Sequence, residues 1–124
     1  MINWYQRLQV YLPSLIWMAI IYYFSSLPTT GVISSVPIVR FLFFKSLHLS
    51  EYAILAIFLF IALKKFSNTI IYSYLYACTD EIHQIFVTGR NSRFTDTLLD
   101  LLGIIFGILF IQLLKKIKIV YTKL

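Results

Sequence analysis

The sequence predicts an all-α membrane protein, a bundle of four transmembrane helices that forms one domain. Of its 124 residues, 60% are hydrophobic and only 13% are charged, whereas a soluble domain has about 25% charged residues. The chain also holds four apolar segments, each approaching the roughly 20 residues that one spanning helix needs. Four such helices use most of the chain, so we expect a single domain over residues 1–124.

The predicted spans cover about residues 8–27, 46–63, 69–87 and 95–114. Proline, glycine or paired basic residues mark the end of each: Pro28, Lys64-Lys65, Gly89 and Lys115-Lys116. Between the first two spans, the aromatic and basic run 40–44 suits the membrane interface better than its centre. We interpret the first span as a retained anchor, because no Ala-x-Ala-like cleavage site follows it.

Basic residues predict the orientation of the four spans. Both termini and the second connection share one side, which holds seven basic residues: Arg7, Lys64, Lys65, Lys115, Lys116, Lys118 and Lys123. The other side holds four: Arg40, Lys45, Arg90 and Arg93. We therefore predict a multi-pass protein of the cell membrane with both termini in the cytoplasm. The scattered basic residues suit contact with anionic lipid and argue against nucleic-acid binding.

All five acidic residues lie toward the predicted outer ends of the spans: Glu51, Asp80, Glu81, Asp96 and Asp100. Three of them, on three different spans, lie roughly 10 Å below those ends at 1.5 Å per residue. A charge that faces lipid at that depth costs at least a few kcal/mol. We therefore predict that the acids face inward, around one polar cavity open to the outer surface.

Helical spacing supports this arrangement. In the second span, Lys45, His48 and Tyr52 share one stripe. In the fourth span, one stripe carries acids near the outside and glycines deeper in: Asp96, Asp100, Gly103 and Gly107. The two glycines form a GxxxG pair, which permits close packing of helices in membranes.

The same residues form motifs that follow one another along the chain. They are Ser25-Ser26-x-Pro28, Lys45-x-x-His48-x-x-Glu51-Tyr52, Asp80-Glu81-Ile82-His83-Gln84, Gly89-Arg90 and Asp96-x-x-x-Asp100-x-x-Gly103-x-x-x-Gly107. Together they resemble the VanZ-like family over nearly the whole chain. The resemblance implies a small polytopic protein of the bacterial cytoplasmic membrane, related to a protein of glycopeptide resistance that raises tolerance to teicoplanin. It implies a cell-envelope context and no particular reaction.

The densest polar patch lies near the end of the third span, where two adjacent carboxylates can share one proton because like charges raise a pKa. Buried ionisable groups in spans are usually functional. We therefore predict five candidate acid–base or proton-transfer groups: Asp80, Glu81, His83, His48 and Glu51. The alternative is structural, with the carboxylates of the patch paired to basic residues so that the helix ends are held together.

Five further side chains are candidates for binding a substrate: Arg90, Arg93, Lys45, Gln84 and Tyr52. The planar guanidinium of arginine binds phosphate oxygens through two parallel hydrogen bonds. Snorkelling to the interface, or a role as counter-charge for the acids, is an equally good interpretation of both arginines. Tyr52 either donates a hydrogen bond to an acid or packs as an ordinary aromatic residue.

We expect Asp96 and Asp100 to complete the site or to hold His48 and the arginines in place. We predict no cofactor. A divalent metal is the less favoured alternative, held by His48 or His83 together with one of three acids: Glu51, Asp80 and Asp100.

Two functions remain open at this point. In the first, the polar site binds or processes a lipid-linked or phosphorylated molecule of the cell envelope, such as a lipid-linked cell-wall precursor, and activated water is the nucleophile if the protein is an enzyme. In the second, the bundle is a non-enzymatic accessory protein, or a proton relay or carrier, and the polar cluster is structural. Membrane lipid is the expected partner in both, and the sequence does not indicate an oligomeric state.

Overall fold

The computed structural model describes residues 3–29 and 36–121, with side chains as far as residue 118. Lys123, counted above among the basic residues, lies outside this part of the chain. The described residues form four α-helices and no strand: α1 (Trp4–Ser26), α2 (Pro37–Leu63), α3 (Phe66–Ile85) and α4 (Asp96–Tyr121). The predicted all-α, four-helix bundle is therefore confirmed.

Local sequence signals fix several helix ends. Pro28 follows the end of α1, as expected because a proline disfavours helical geometry in the residue before it. α2 begins at Pro37, a position where the missing N–H would have no helical partner in any case. It ends at Lys64, which adopts a left-handed conformation with φ of 54° and donates its N–H to the Phe60 carbonyl at 2.9 Å. Only Lys64 and Lys65 separate α2 from α3, so these two helices are antiparallel neighbours.

The start of α2 differs from the predicted span. The helix begins at Pro37 rather than near residue 46, so the run 40–44, expected between the first two spans, is helical. Nothing in the sequence between Pro37 and Lys45 breaks a helix. Glu51 consequently lies about 20 Å from the start of its helix at 1.5 Å per residue, twice the predicted depth.

In the part of the chain that the structure describes, three helices are long and apolar enough to cross a membrane: Trp4–Ser26, Pro37–Leu63 and Asp96–Lys118. α3 has no window of that hydropathy, because its buried stripe is made of small and polar residues: Thr69, Ser73, Ala77, Asp80, Glu81 and Gln84. Its exposed face is apolar and includes Ile71, Leu75 and Ile82. α3 thus hides polar groups and exposes hydrophobic ones, which is the reverse of a helix in a water-soluble protein.

The whole bundle follows the same reversed pattern. Its core combines apolar residues such as Leu55 and Ile104 with fully or almost fully buried polar residues such as Thr97 and Asp100. Large hydrophobic side chains instead cover the outside of all four helices. Soluble monomers rarely expose apolar surface on this scale, so the outer surface suits lipid. The chain is a helical membrane protein.

The helices alternate in direction. Tyr76 in α3 donates a hydrogen bond to the Met18 carbonyl of α1 at 2.6 Å, and further along both helices Ser25 contacts Asp80, so α1 and α3 are parallel. Side chains at the N-terminal parts of α2 and α4 also meet, so this pair is parallel too. One end of the bundle, here called the polar end, therefore combines the C-terminal ends of α1 and α3 with the N-terminal parts of α2 and α4.

The two glycines of α4 allow its close contact with α2. A Cβ atom on Gly103 would lie 3.2 Å from the Leu49 Cα, and one on Gly107 would lie 3.0 Å from the Ala53 Cα. In both cases the carbonyl oxygen of the facing residue would be closer still. Backbone rather than a flexible side chain occupies this space, so any larger residue must push the two helices apart.

We expect Gly107→Ala to lower the free energy of unfolding in detergent by about 1–3 kcal/mol, the usual cost of overpacking. Intrinsic helix propensity alone predicts the opposite, because Ala favours a helix over Gly by about 1 kcal/mol. Leu109→Ala is the control, since the Leu109 side chain lies on the outer face of the same helix and is 55% exposed. A Gly107→Ala protein as stable as wild type would contradict the close packing of α2 and α4.

Candidate functional site

Asp80 is the centre of a hydrogen-bond network that joins three helices. Only 3% exposed, it accepts three hydrogen bonds at one oxygen, Oδ2. The donors are the Ser25 hydroxyl of α1 at 2.9 Å, the Tyr52 hydroxyl of α2 at 3.1 Å and the Gln84 amide of α3 at 2.9 Å. Its other oxygen, Oδ1, is buried and has no hydrogen-bond partner among the described residues. The structure thus brings the predicted residues Asp80, Gln84 and Tyr52 together.

Arg90 extends this network to the end of α1. Its guanidinium donates to the Phe24 carbonyl at 2.7 Å, and to the Leu27 carbonyl and the Gln84 side-chain oxygen at 3.4 Å each. Burial lowers the pKa of Arg90, while the nearby carboxylates, chiefly that of Asp80, raise it. A guanidinium stays protonated in proteins, so Arg90 is a fixed positive charge at the polar end.

A second cluster lies where α2, α3 and α4 meet. One ligand-type atom from each of His48, Glu81 and Asp100 lies within 4.8 Å of the other two. His48 Nδ1 and Asp100 Oδ1 are 3.6 Å apart, a separation too long for a hydrogen bond. Both oxygens of Asp100 are buried, and neither has a hydrogen-bond partner within residues 3–29 and 36–121. On the other side of the cluster, the Ser92 hydroxyl donates to the Glu81 carboxylate and, at 2.8 Å, to the Glu81 carbonyl.

The remaining predicted residues take separate places. Lys45 forms an ion pair with Asp96 and lies over the Phe41 ring at 5.6 Å from its centroid. His83 turns toward α1, where its Nε2 lies 2.9 Å from the Ser26 hydroxyl and its ring stacks on Tyr22. His83 therefore joins neither carboxylate cluster.

Two of the predicted side chains lie at the margin of the site. Glu51 is partly buried and lines an apolar groove, while its backbone carbonyl accepts a hydrogen bond from Trp17 Nε1 at 2.9 Å. Arg93 is exposed in the connection before α4 and lines neither of the two cavities described next.

Two cavities open at the polar end and share part of their walls. The basic cavity, of about 520 Å³, is lined by Arg40, Lys45, His48, Asp96 and other residues. The apolar groove, of about 730 Å³, is lined by residues such as Phe24, Leu27, Phe43, Leu47 and Glu51. Both volumes are within the range of natural ligand sites, roughly 300–1,000 Å³. Four residues line both: Thr29, Phe44, His48 and Arg90.

One comparison with known proteins gives a match. A family model described as VanZ/LLP1 matches residues 6–115, which is most of the chain. The chain belongs to the VanZ/LLP1 family. The resemblance found in its motifs is thereby confirmed. Neither the curated proteins nor the solved structures contain a significant match.

In this member of the VanZ/LLP1 family, three residues of the polar end are not among the site residues predicted from the sequence. Ser25 donates to Asp80, Ser92 donates to Glu81, and Arg40 lines the basic cavity and donates to the Thr29 carbonyl. Ser25 belongs to the motif Ser25-Ser26-x-Pro28, which indicated its position but not its partner. Arg40 lies within the same helix as Lys45 and His48, and a helix starting at Pro37 would have revealed it. No pattern in the sequence indicated Ser92.

We expect Tyr52→Phe to lower the free energy of unfolding by about 1–3 kcal/mol, because it removes one donor from a buried carboxylate. Tyr72→Phe is a matched control, since the Tyr72 side chain is 55% exposed on the outer face of α3. Thermal or denaturant unfolding in one detergent would compare the two variants. Equal effects of the two substitutions would contradict a stabilising role of the Asp80 network.

Proposed function

We propose that this VanZ/LLP1 protein binds a lipid-linked, phosphorylated molecule of the cell envelope at the polar end of its bundle. The observation that carries the proposal is the shared wall of the two cavities, formed in part by Arg90 and His48. One amphipathic ligand can fill both volumes, with its anionic head group in the basic cavity and its hydrocarbon chain in the apolar groove.

The charges of the basic cavity favour an anionic head group. Arg40, Lys45 and Arg90 all line it and come from two different parts of the chain, α2 and the connection between α3 and α4. Guanidinium groups bind phosphate oxygens through paired hydrogen bonds, and an ammonium group adds a point charge. Asp96 pairs with Lys45, so part of this positive charge is balanced within the protein.

The apolar groove favours a hydrocarbon chain. Leucine and phenylalanine residues in and directly after α1 and in α2 line it, and the outer faces of both helices are themselves apolar. A lipid can therefore enter from the membrane without crossing water. With both termini in the cytoplasm, as the distribution of basic residues predicts, the head group would lie at the outer leaflet.

Processing of the bound molecule would require a titratable group beside its head group. His48 has this position, because it lines both cavities and lies against Asp100. His83 stacks on Tyr22 and lines neither cavity. His48 rather than His83 is thus the better candidate to take part in the activation of water.

The family supplies a biological setting for this proposal. The VanZ-like family takes its name from a protein that raises tolerance to teicoplanin, an antibiotic that acts on the cell envelope. A lipid-linked cell-wall precursor has the phosphate and hydrocarbon parts that the two cavities would accommodate. A contribution of this chain to glycopeptide resistance through such a ligand is part of the proposal.

A non-enzymatic bundle, acting as an accessory protein or as a proton relay or carrier, is the second candidate function. The observation that favours it is the internal pairing of the polar groups. Asp80 has three donors within the protein, and the Lys45 ammonium already has Asp96. Such pairs can hold helix ends together without any ligand.

Binding of a long-chain polyprenyl phosphate, compared with the polyprenol of the same length, would separate these functions. We expect the phosphate to bind to the detergent-purified protein at least about tenfold more tightly than the alcohol, a difference of about 1.4 kcal/mol. Native mass spectrometry measures both affinities and reveals any lipid retained through purification. Arg90→Gln and Lys45→Gln should each reduce the preference for the phosphate.

Arg93→Gln is the matched control, because it removes the same charge from an exposed arginine outside both cavities. It should leave the preference unchanged. Equal affinity of the wild-type protein for the phosphate and the alcohol would contradict the proposal. So would an Arg90→Gln protein that binds like wild type and only unfolds more easily, which is the result expected of a structural cluster.

A further inference from the structure

We infer that His48, Glu81 and Asp100 form a binding site for one divalent transition-metal ion, of the kind represented by Zn²⁺ or Mn²⁺. The site lies where α2, α3 and α4 meet, and each helix contributes one ligand. The proposed metal site is separate from the binding of a lipid, and binding of the ion can be measured on the protein alone. It also departs from the sequence-based expectation of no cofactor.

The distances within the cluster fit ligands that share an ion. Two atoms bound to one tetrahedral ion, each at about 2.1 Å, lie about 3.4 Å from each other. His48 Nδ1 and Asp100 Oδ1 are 3.6 Å apart, close to that value and longer than a hydrogen bond. A carboxylate oxygen of Glu81 lies within 4.8 Å of one ligand-type atom of each of these two residues. Glu81 must therefore move closer for all three residues to bind one ion.

Asp100 supplies the second, independent observation. Its side chain is fully enclosed, with 1% of the residue exposed, yet neither carboxylate oxygen has a hydrogen-bond partner within the described part of the chain. His48 Nδ1, which faces it, is likewise buried without a hydrogen bond. Unsatisfied buried polar atoms are costly, and a carboxylate costs more than a neutral group. A cation between His48, Glu81 and Asp100 would satisfy all of them.

Other contacts hold the proposed ligands in place. The Ser92 hydroxyl donates to the Glu81 carboxylate, in the manner of the hydrogen bonds that usually orient metal ligands. The His48 ring stacks on Tyr52, which in turn donates to Asp80. Two of the proposed ligands, His48 and Glu81, therefore lie on helices that the Asp80 network joins.

The ligand set also indicates the class of ion. An imidazole nitrogen with two carboxylates suits Zn²⁺, Mn²⁺ and similar ions, whereas Mg²⁺ prefers an all-oxygen shell that keeps several waters. Three protein ligands leave room for a further ligand in a metal site of this kind. Since His48 also lines both cavities, the ion would border the volume proposed for the head group.

Metal binding is best measured on protein without a polyhistidine tag, stripped with a chelator and kept in detergent without lipid. Zn²⁺ titration against a competing chelator gives the affinity, and elemental analysis gives the number of ions per chain. We expect one equivalent, a metal-dependent rise in Tm, and no competition from Mg²⁺ at the same concentration. His48→Gln, Glu81→Gln and Asp100→Asn should each weaken binding by at least about tenfold.

Glu51→Gln is the matched control, because it neutralises another partly buried carboxylate outside both the proposed ligand set and the Asp80 network. It should bind Zn²⁺ with wild-type affinity. Three results would overturn the inference: no saturable binding by folded wild type, binding that survives all three ligand variants, or an equal loss in Glu51→Gln. If one ligand variant fails to fold, the Zn²⁺ affinities of the other two and the Tm shift of the wild-type protein still test the inference.

The metal proposal and the lipid proposal can be contradicted independently of each other. Arg90 and Lys45 are outside the ligand set, so Arg90→Gln and Lys45→Gln should bind Zn²⁺ normally while losing their preference for the polyprenyl phosphate. A wild-type protein that binds the phosphate but no metal would overturn only the metal site. A protein that binds one Zn²⁺ but treats phosphate and alcohol alike would overturn only the proposed function.

Discussion

Ionisable side chains on helices of membrane-spanning length must face one another, because lipid offers them neither hydrogen bonds nor a high dielectric. This constraint fixes the rotation of each helix in the bundle. Asp80 accepts hydrogen bonds from α1, α2 and α3, while Asp100 brings α4 toward His48. The apolar residues then face outward by default. α3 follows this rule most closely, since its polar stripe is buried and its hydrophobic face is exposed.

The close contact between α2 and α4 determines where along the two helices their ionisable side chains meet. Gly103 and Gly107 let the α4 backbone approach Leu49 and Ala53, and the two parallel helices remain in register from there to the polar end. One turn above Gly103, Asp100 lies opposite His48. The packing motif and the polar cluster are therefore parts of one interface. A change in the glycines would alter the distance between the ligand atoms as well as the stability of the bundle.

Much of this arrangement could be predicted from the sequence, because helical periodicity and the free-energy cost of exposing a charge to lipid can be judged for each helix by itself. The stripe of Asp100 and Gly103, and the inward position of the acids, follow from residue spacing alone. Pairing across helices could not be predicted in the same way. Glu81 joins His48 only because α3 is rotated by the network around Asp80, and spacing along one helix does not encode that rotation. The start of α2 at Pro37 could not be predicted in this way, because Arg40 resembles a residue of the membrane interface rather than one within a spanning helix.

Charge balance at the polar end connects the cavities with the buried cluster. All five acidic residues lie there, opposed by four basic residues: Arg40, Lys45, Arg90 and Arg93. With every carboxylate ionised and the histidines neutral, this end carries a surplus negative charge, although the whole chain carries +6. A phosphate would then meet basic residues in the cavity wall and uncompensated carboxylates behind them. Either protons or a cation must neutralise these carboxylates before the cavity binds an anion tightly. A divalent ion between Glu81 and Asp100 would cancel both of their negative charges at once, whereas one proton would cancel only one of them. Binding of metal and of the phosphate should therefore reinforce each other, since each lowers the electrostatic cost of the other.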